Sequence, residues 1–320
     1  MRDLRKEPIQ TLFLGTDWES REILNALYND KRFKITGVIT NEDKLIGRKQ
    51  ILTPSKVKEF ALKHNIEVFH TNSDTEKYKE ALDRFNPELI VCIAFGEILP
   101  DFFINYPKYK SINIHFSILP KYRGAVPVQK AILDGEKETG ISIMIMSKDM
   151  DKGDILKIFK EPILSNDTNI SLRQRLVKIS SDVIGDVLEE WVEGKIVPQK
   201  QDDSLATYCW QKDISKENAQ ILWESMEPEY IERMIRAFIP WPVAWCIWKD
   251  KRLKIFEAQL VKKENNEKAG TLFISNSQLF IATRKKNVCL SVNTLQIEGK
   301  NVMNYKEFIN GFGKDIKEGV

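Results

Sequence analysis

Residues Leu89–Ala94 read LIVCIA, six positions with no charge and no turn-forming residue. A run this short and this apolar fits a strand buried on both faces, the central strand of a parallel sheet. Parallel strands need crossover connections, usually helices, and the flanking sequence supplies them. Ile9–Leu14 and Phe33–Thr40 are apolar strands, with a Gly15-Thr16-Asp17 break and a helix over Glu19–Leu27 between them. Thr53-Pro54-Ser55 starts a helix running through Lys56 to about His64, with Thr as the cap and Pro in the first turn. Glu67–Phe69 is a short strand and Asp74–Phe85 an amphipathic helix. Ser111–His115, Gly140–Met146 and Ile155–Ile163 complete the strands, with a helix over Pro127–Asp134. A long helix over Ser171–Val192 covers one sheet face. The expected fold class is α/β, a Rossmann-like domain with a mostly parallel sheet. GTDWES after the first strand is not the GxGxxG fingerprint, so the topology is supported and a dinucleotide is not.

At 320 residues the chain is long for one domain and comfortable for two. After Glu193-Gly194-Lys195 the texture changes: PQKQDDSLATY is polar and unpatterned and reads as a linker. Beyond it lie a helix over Glu227–Phe238 and five short β-rich pieces, Val243–Trp248, Leu253–Gln259, Gly270–Ser275, Leu279–Thr283 and Val288–Leu295. These five pieces suit a small OB-like barrel. The expected division is 1–194 for the α/β domain, 195–209 for the linker and 210–320 for the β domain. From residue 211 onward there are 18 Lys and Arg against 14 Asp and Glu, although the whole chain carries only +3. A mildly basic C-terminal part fits either a solvated mixed surface or a polyanionic partner.

No apolar run approaches the ~20 residues that span a bilayer. MRDLRKEPIQ has no signal-peptide core. The protein is therefore expected to be cytoplasmic, with no membrane partner. The four cysteines, Cys92, Cys209, Cys246 and Cys289, are scattered, with no CxxC and no His at ligand spacing. No structural metal is expected.

The chain has three histidines, His64, His70 and His115. A lone buried histidine is most often a satisfied core residue. His115, however, ends an alternating strand, SINIH, which puts Asn113 on the same face. Asp151 follows the next strand in an acidic turn. An imidazole can take and return a proton near neutral pH. A carboxylate beside it fixes its tautomer and stabilises the imidazolium. A carboxamide can donate to an oxyanion. No Ser or Cys sits in a nucleophile elbow. The set suits direct transfer of an acyl group from a bound donor to an amine. AFGEILP, after the central strand, is a candidate cofactor wall. The polar stretch NEDKLIGRKQIL carries Lys44, Arg48 and Lys49, and reads as an ordinary charged loop or as a mobile basic finger for an anionic substrate.

INIHFSILPKYRGAVPVQKAI, followed by TGISIMIM and MDKGDIL, resembles the core of the folate-dependent formyltransferases. The N-terminal GT turn, VITNEDKLIGRKQILTPSKVK, AFGEILP, LATYCWQKDISKENAQILWE, IRAFIPWPVAW and LQIEGKNVMNYKEFINGFG extend the likeness over nearly the whole chain. The last two point to the branch of that family that formylates methionyl-tRNA. The resemblance implies 10-formyltetrahydrofolate as donor and initiator Met-tRNA as acceptor, with a role in translation initiation and a monomeric enzyme. It implies Asn113 as oxyanion donor, His115 as proton carrier and Asp151 as the residue that orients His115 and a water. Phe95, Gly96, Ile98, Leu99, Ser117, Ile118, Leu119 and Pro120 are implied to line the folate site, with a cis Leu119–Pro120 bond. Lys44, Arg48, Lys49 and the basic C-terminal domain are implied to meet the acceptor arm. The alternatives are an amino sugar nucleotide N-formyltransferase with the same trio and donor, and a tRNA-binding module that has lost catalysis. Ser147, Asp149 and Lys152 are among the positions at which the sequence leaves the family's Asp-x-Gly-Leu-Asp-Thr-Gly-Asp pattern. Asp149 stands where the family has Gly, a position at which positive φ is to be expected.

Overall fold

A computed structural model describes residues 7–47 and 49–318. The chain divides into two compact units. One comprises residues up to Gly124, Thr139–Glu161 and Arg173–Tyr208; the other comprises Ala125–Glu138, Pro162–Leu172 and the chain from Cys209 on.

The first unit is built on seven strands: β1 (Ile9–Leu14), β2 (Phe33–Ile39), β3 (Val68–Phe69), β4 (Leu89–Cys92), β5 (Ser111–His115), β6 (Glu138–Ile145) and β7 (Ile155–Pro162). Their order across the sheet is β7-β6-β5-β4-β1-β2-β3. β1 runs parallel to β2 and β4, β2 to β3, and β4 to β5, while β6 lies antiparallel to β5. The sheet is thus parallel for most of its width. β4 is buried at all four positions, as its unbroken apolar sequence requires.

Helix Thr75–Phe85 seals one core cluster. Asp74 caps it by accepting from Glu76 N at 2.9 Å, and Asn86 ends it in the left-handed region. Its Tyr78, Ala81, Leu82 and Phe85 pack with Leu12, Leu14, Ile39, Ile90 and Cys92 of the strands. Gly37 makes room for this packing, since a Cβ there would lie 2.3 Å from the Phe85 ring. Helix Asn169–Val192 buries Leu176, Val177, Ile184, Val187 and Leu188, and Trp191 donates to the Tyr109 carbonyl at 2.8 Å.

Two expectations are corrected in the basic stretch. Lys44–Ile46 and Ile51–Thr53 pair as an antiparallel hairpin instead of a loop. Thr53 is the last residue of that hairpin, and its hydroxyl donates to Ile51 O at 3.0 Å. Ser55 therefore caps helix Lys56–Lys63, accepting from Lys58 N at 3.0 Å. A short helix, Asp101–Asn105, also forms where none was expected.

In the second unit, helix Pro127–Asp134 packs on helix Pro228–Ala237, and Arg233 Nε donates to Leu133 O at 2.9 Å. Five antiparallel strands follow: β8 (Trp245–Trp248), β9 (Lys251–Lys262), β10 (Leu272–Ser275), β11 (Gln278–Ala282) and β12 (Val288–Ile297), in the order β8-β9-β12-β11-β10. Lys317–Glu318 runs parallel beside β10, and Met303–Asn304 pairs with β12. The five strands match the five expected pieces in number and order.

Gly140, in β6, tests the close approach to β7. A Cβ there would meet the Phe159 carbonyl oxygen at 2.1 Å, a backbone atom that no rotamer change can move. Gly140→Ala is expected to destabilise the protein by about 2–3 kcal/mol, read as a lower urea midpoint. A midpoint equal to that of the parent protein would refute the tight β6–β7 contact.

Candidate active site

The strand order reverses direction between β1 and β4, and ligands of open α/β sheets bind beyond the carboxyl ends of strands at such a point. Side chains tie the two strand ends together. Ser20 Oγ donates to Ile93 O at 2.8 Å and Thr16 Oγ1 to Phe95 O at 3.4 Å. Gly15 has no room for a side chain, since its Cβ would sit 2.4 Å from that of Ser20.

Asn113 and His115 leave β5 on one face, as the alternation requires. Asn113 is half-buried, and His115 is 6% exposed. His115 Nε2 lies 2.8 Å from the Tyr122 carbonyl oxygen. A carbonyl only accepts, so Nε2 carries the hydrogen, and Nδ1 of the neutral ring bears the lone pair. Nδ1 faces Asp151 Oδ2 at 3.6 Å, beyond hydrogen-bond length. The same carboxylate oxygen accepts from Gly124 N at 2.8 Å. The tautomer is therefore set by the Tyr122 carbonyl rather than by Asp151. Asp151 adopts φ 55° and Tyr122 φ 59°. Both lie in the left-handed region, uncommon for residues other than glycine. Cys92 pairs with Asn113 across β4 and β5. Burial, and then the charge of Asp151, push its thiol up to about 12, so it offers no thiolate at neutral pH.

Two loops follow the ends of β4 and β5. In the first, Gly96 takes φ 87°, which glycine alone adopts easily, and Ile98 stands 83% exposed. Phe95 and the half-buried Leu99 point instead into the core around Tyr78 and Phe103. In the second, the Leu119–Pro120 bond is cis. Ser142 Oγ donates to Ser117 O at 2.7 Å and accepts from Leu119 N at 3.0 Å. Ser117 and Leu119 are buried, while Ile118 and Pro120 are half-buried. Lys44 and Lys49 are exposed on the hairpin, and Arg48 lies outside the described residues. Among the described residues no group of three His, Cys, Asp or Glu is arranged to hold a metal ion.

Comparison with known proteins agrees with this fold. The formyl transferase family model matches residues 9–188, and the model of the formyl transferase C-terminal domain matches 213–313. Methionyl-tRNA formyltransferase of Halalkalibacterium halodurans is 38% identical over 312 residues, 97% of this chain and 97% of that one. The chain belongs to the methionyl-tRNA formyltransferase family. Among solved structures, the N-formyltransferase from Helicobacter canadensis, in complex with folinic acid and dTDP-3-aminofucose, aligns with TM-score 0.67 at 20% identity, covering 89% of this chain and 99% of that one. HypX from Aquifex aeolicus, in complex with tetrahydrofolic acid, aligns with TM-score 0.64 at 17% identity over 97% of this chain. The chain spans 48% of HypX. These two likenesses speak to the fold.

The departures from the family pattern prove to be joined. Ser147 Oγ donates to Asp149 O at 2.9 Å, and Lys152 Nζ pairs with Asp149 Oδ2 at 3.3 Å. Asp149 is not among the residues with positive φ, contrary to expectation; the left-handed residue of this turn is Asp151. The glycine the turn cannot lose is Gly153, whose Cβ would lie 1.6 Å from Ile145 O.

Sequence reasoning missed the groups that hold the pair. The Tyr122 carbonyl and Gly124 N–H are backbone groups with no signature in residue type. Gln201 sits in the stretch read as unpatterned linker, yet its Nε2 donates to Asp151 O and Gly153 O, both at 2.8 Å. Glu97 also went unread. Its Oε2 accepts from Thr71 Oγ1, Ser73 N, Ser73 Oγ and Tyr78 OH at 3.0, 2.6, 3.2 and 2.7 Å. Burial first, and then the Glu97 charge, raise the Tyr78 phenol above its ordinary range, so it stays a donor. Glu97→Ala leaves these donors unanswered and is expected to cost about 1–3 kcal/mol. Urea unfolding would register the loss, and hydrogen exchange would speed up across 95–99. Unchanged exchange there would exclude Glu97 as the lock of this loop.

Proposed function

We propose that the protein transfers the formyl group of 10-formyltetrahydrofolate to the α-amine of methionine on initiator Met-tRNA, the step that readies this tRNA for translation initiation. The observation that carries the proposal is His115, held as the Nε2–H tautomer with its free Nδ1 toward Asp151. In this reading the amine attacks the formyl carbon. Asn113 donates its carboxamide N–H to the oxygen that gains charge. His115 Nδ1 takes the proton lost by the amine, and Asp151 stabilises the imidazolium. The proton then passes to the departing folate nitrogen, and His115 returns to its starting form. No covalent enzyme intermediate is needed, in keeping with a Cys92 thiol that burial holds protonated.

The loops at 95–99 and 117–120 are proposed to hold the folate. Lys44, Arg48, Lys49 and the basic C-terminal chain are proposed to meet the phosphates of the acceptor arm. The same reading assigns 1–194 to transfer and 210–320 to tRNA binding, with 195–209 joining them, in a cytoplasmic monomer. No helix among the described residues is long and apolar enough to cross a membrane, and none is required. The amino sugar nucleotide reading is disfavoured because the 38% identity with a methionyl-tRNA enzyme extends over 97% of both chains. An assay with 10-formyltetrahydrofolate and either Met-tRNA or an amino sugar nucleotide is expected to formylate Met-tRNA; formylation of the sugar alone would overturn the proposal.

Two variants probe the parts separately. His115→Ala is expected to lower turnover by at least ~10²-fold, with tRNA affinity unchanged in filter binding. Near-parental turnover would remove His115 from the mechanism. Lys44→Ala with Lys49→Ala is expected to weaken tRNA binding and to lower the slope of log K against log salt by about one unit or more. A change confined to the folate KM would remove the hairpin from the tRNA site.

A further inference from the structure

We propose that Arg123 and Gln201 act as one positioning element, and that residues 199–208 form a strap which holds both sides of the His115–Asp151 pair. The inference rests on the roles proposed for those two residues.

Arg123 has no exposed surface. A guanidinium taken out of water needs good partners. It donates from Nε and Nη2 to Gln201 Oε1 at 3.1 and 2.8 Å, and its Nη2 meets Asp203 Oδ1 at 2.7 Å. Nη1 reaches Tyr208 OH at 3.4 Å. Burial opposes the charge, but the bonds to Asp203 and Tyr208 outweigh it and hold the group above its ordinary range. The Gln201 oxygen thus faces the guanidinium while its nitrogen donates to Asp151 O and Gly153 O. Only this orientation of the carboxamide works. Reversal would set NH₂ against the guanidinium and oxygen against two carbonyls.

The strap meets both strained residues of the site. A left-handed conformation is costly for an L-residue and persists only where its surroundings over-determine it. Asp151, at φ 55°, is held through its carbonyl by Gln201. Tyr122, at φ 59°, is held by Thr207, whose Oγ1 accepts from Tyr122 N at 2.8 Å and whose carbonyl accepts from Arg123 N at 2.9 Å. Those two residues present the carboxylate and the carbonyl that His115 uses. A backbone ladder between Gln199 and Ile155, with N···O distances of 2.9 and 2.8 Å, starts the strap at the head of β7. The strap therefore sets the distance between His115 and Asp151 without touching either side chain.

Gln201→Glu is the decisive variant. It keeps an oxygen on Arg123 and adds a charge to that pair, so the contact with the buried guanidinium survives. It replaces the donor to Asp151 O and Gly153 O with an acceptor. The full-length variant is expected to lose at least about ten-fold in kcat, with both KM values within about three-fold, because small misplacements at reacting groups are costly. In an Asp151→Asn background, Gln201→Glu is expected to cost no further activity, since coupled residues are not additive. Thr207→Val gives a second, independent reading: a kcat loss in the parent protein that vanishes in a His115→Ala background. Unchanged kcat in Gln201→Glu, or equal losses with and without Asp151, would overturn the strap. If Asp151→Asn and His115→Ala keep near-parental turnover, the proposed chemistry fails and the strap with it. If they are impaired while the strap variants are not, only the strap fails.

Discussion

The hydrogen bond from His115 Nε2 to the Tyr122 carbonyl is the constraint on which the rest of the site depends. It decides which nitrogen of the neutral ring bears the lone pair and which way that nitrogen faces. Everything around it fixes the position of one carbonyl. Tyr122 is left-handed, the next residue buries a full positive charge, and the third gives its N–H to Asp151. Three consecutive residues thus set the tautomer, anchor the backbone and place the carboxylate. The arrangement differs from a triad in which the carboxylate itself fixes the imidazole. Here Asp151 Oδ2 stands 3.6 Å from Nδ1, beyond hydrogen-bond length.

The sheet supplies the second constraint. Its order brings the ends of β1, β4 and β5 side by side, so the loops after β4 and β5 share one edge. Each loop has its own lock. Glu97 gathers four donors under the first, and the Ser142 hydroxyl bridges two backbone groups of the second. Such locks suit a site that binds a large planar ligand, because loops at strand ends are otherwise the most mobile part of an α/β domain. Membership of the methionyl-tRNA formyltransferase family then gives the site its chemistry, with transfer from a folate to an amine as the proposed reaction.

Much of this was legible in residue order. The apolar run of β4, the alternation of β5 and the five C-terminal pieces follow from hydrophobic period alone. Asn113 and His115 could be paired because two residues apart on a strand means the same face. Asp151 could be named as the carboxylate in the acidic turn after the next strand, and its role came through resemblance. The hairpin at Lys44–Thr53 is not legible in the sequence, because three-residue strands are too short to show a period. Asp149 drew attention as the replaced glycine, yet the strained position was two residues on. Backbone angles in a tight turn depend on contacts that the string of letters does not carry.

By itself, the sequence determined the α/β class, the strand order in the chain, the face shared by Asn113 and His115, and the family. These rest on local period and on motifs, which are properties of neighbours in the chain. Only the tertiary structure decided which nitrogen of His115 is free, that Asp151 is the left-handed residue, and that Gln201 and Thr207 reach the site from a polar stretch with no pattern. The physical reason is that those decisions are made by hydrogen bonds to backbone groups, 7 residues along the chain for His115 and 50 and 85 for Gln201 and Thr207. A carbonyl or an N–H has the same chemistry in every residue, so only its position in space can give it a role.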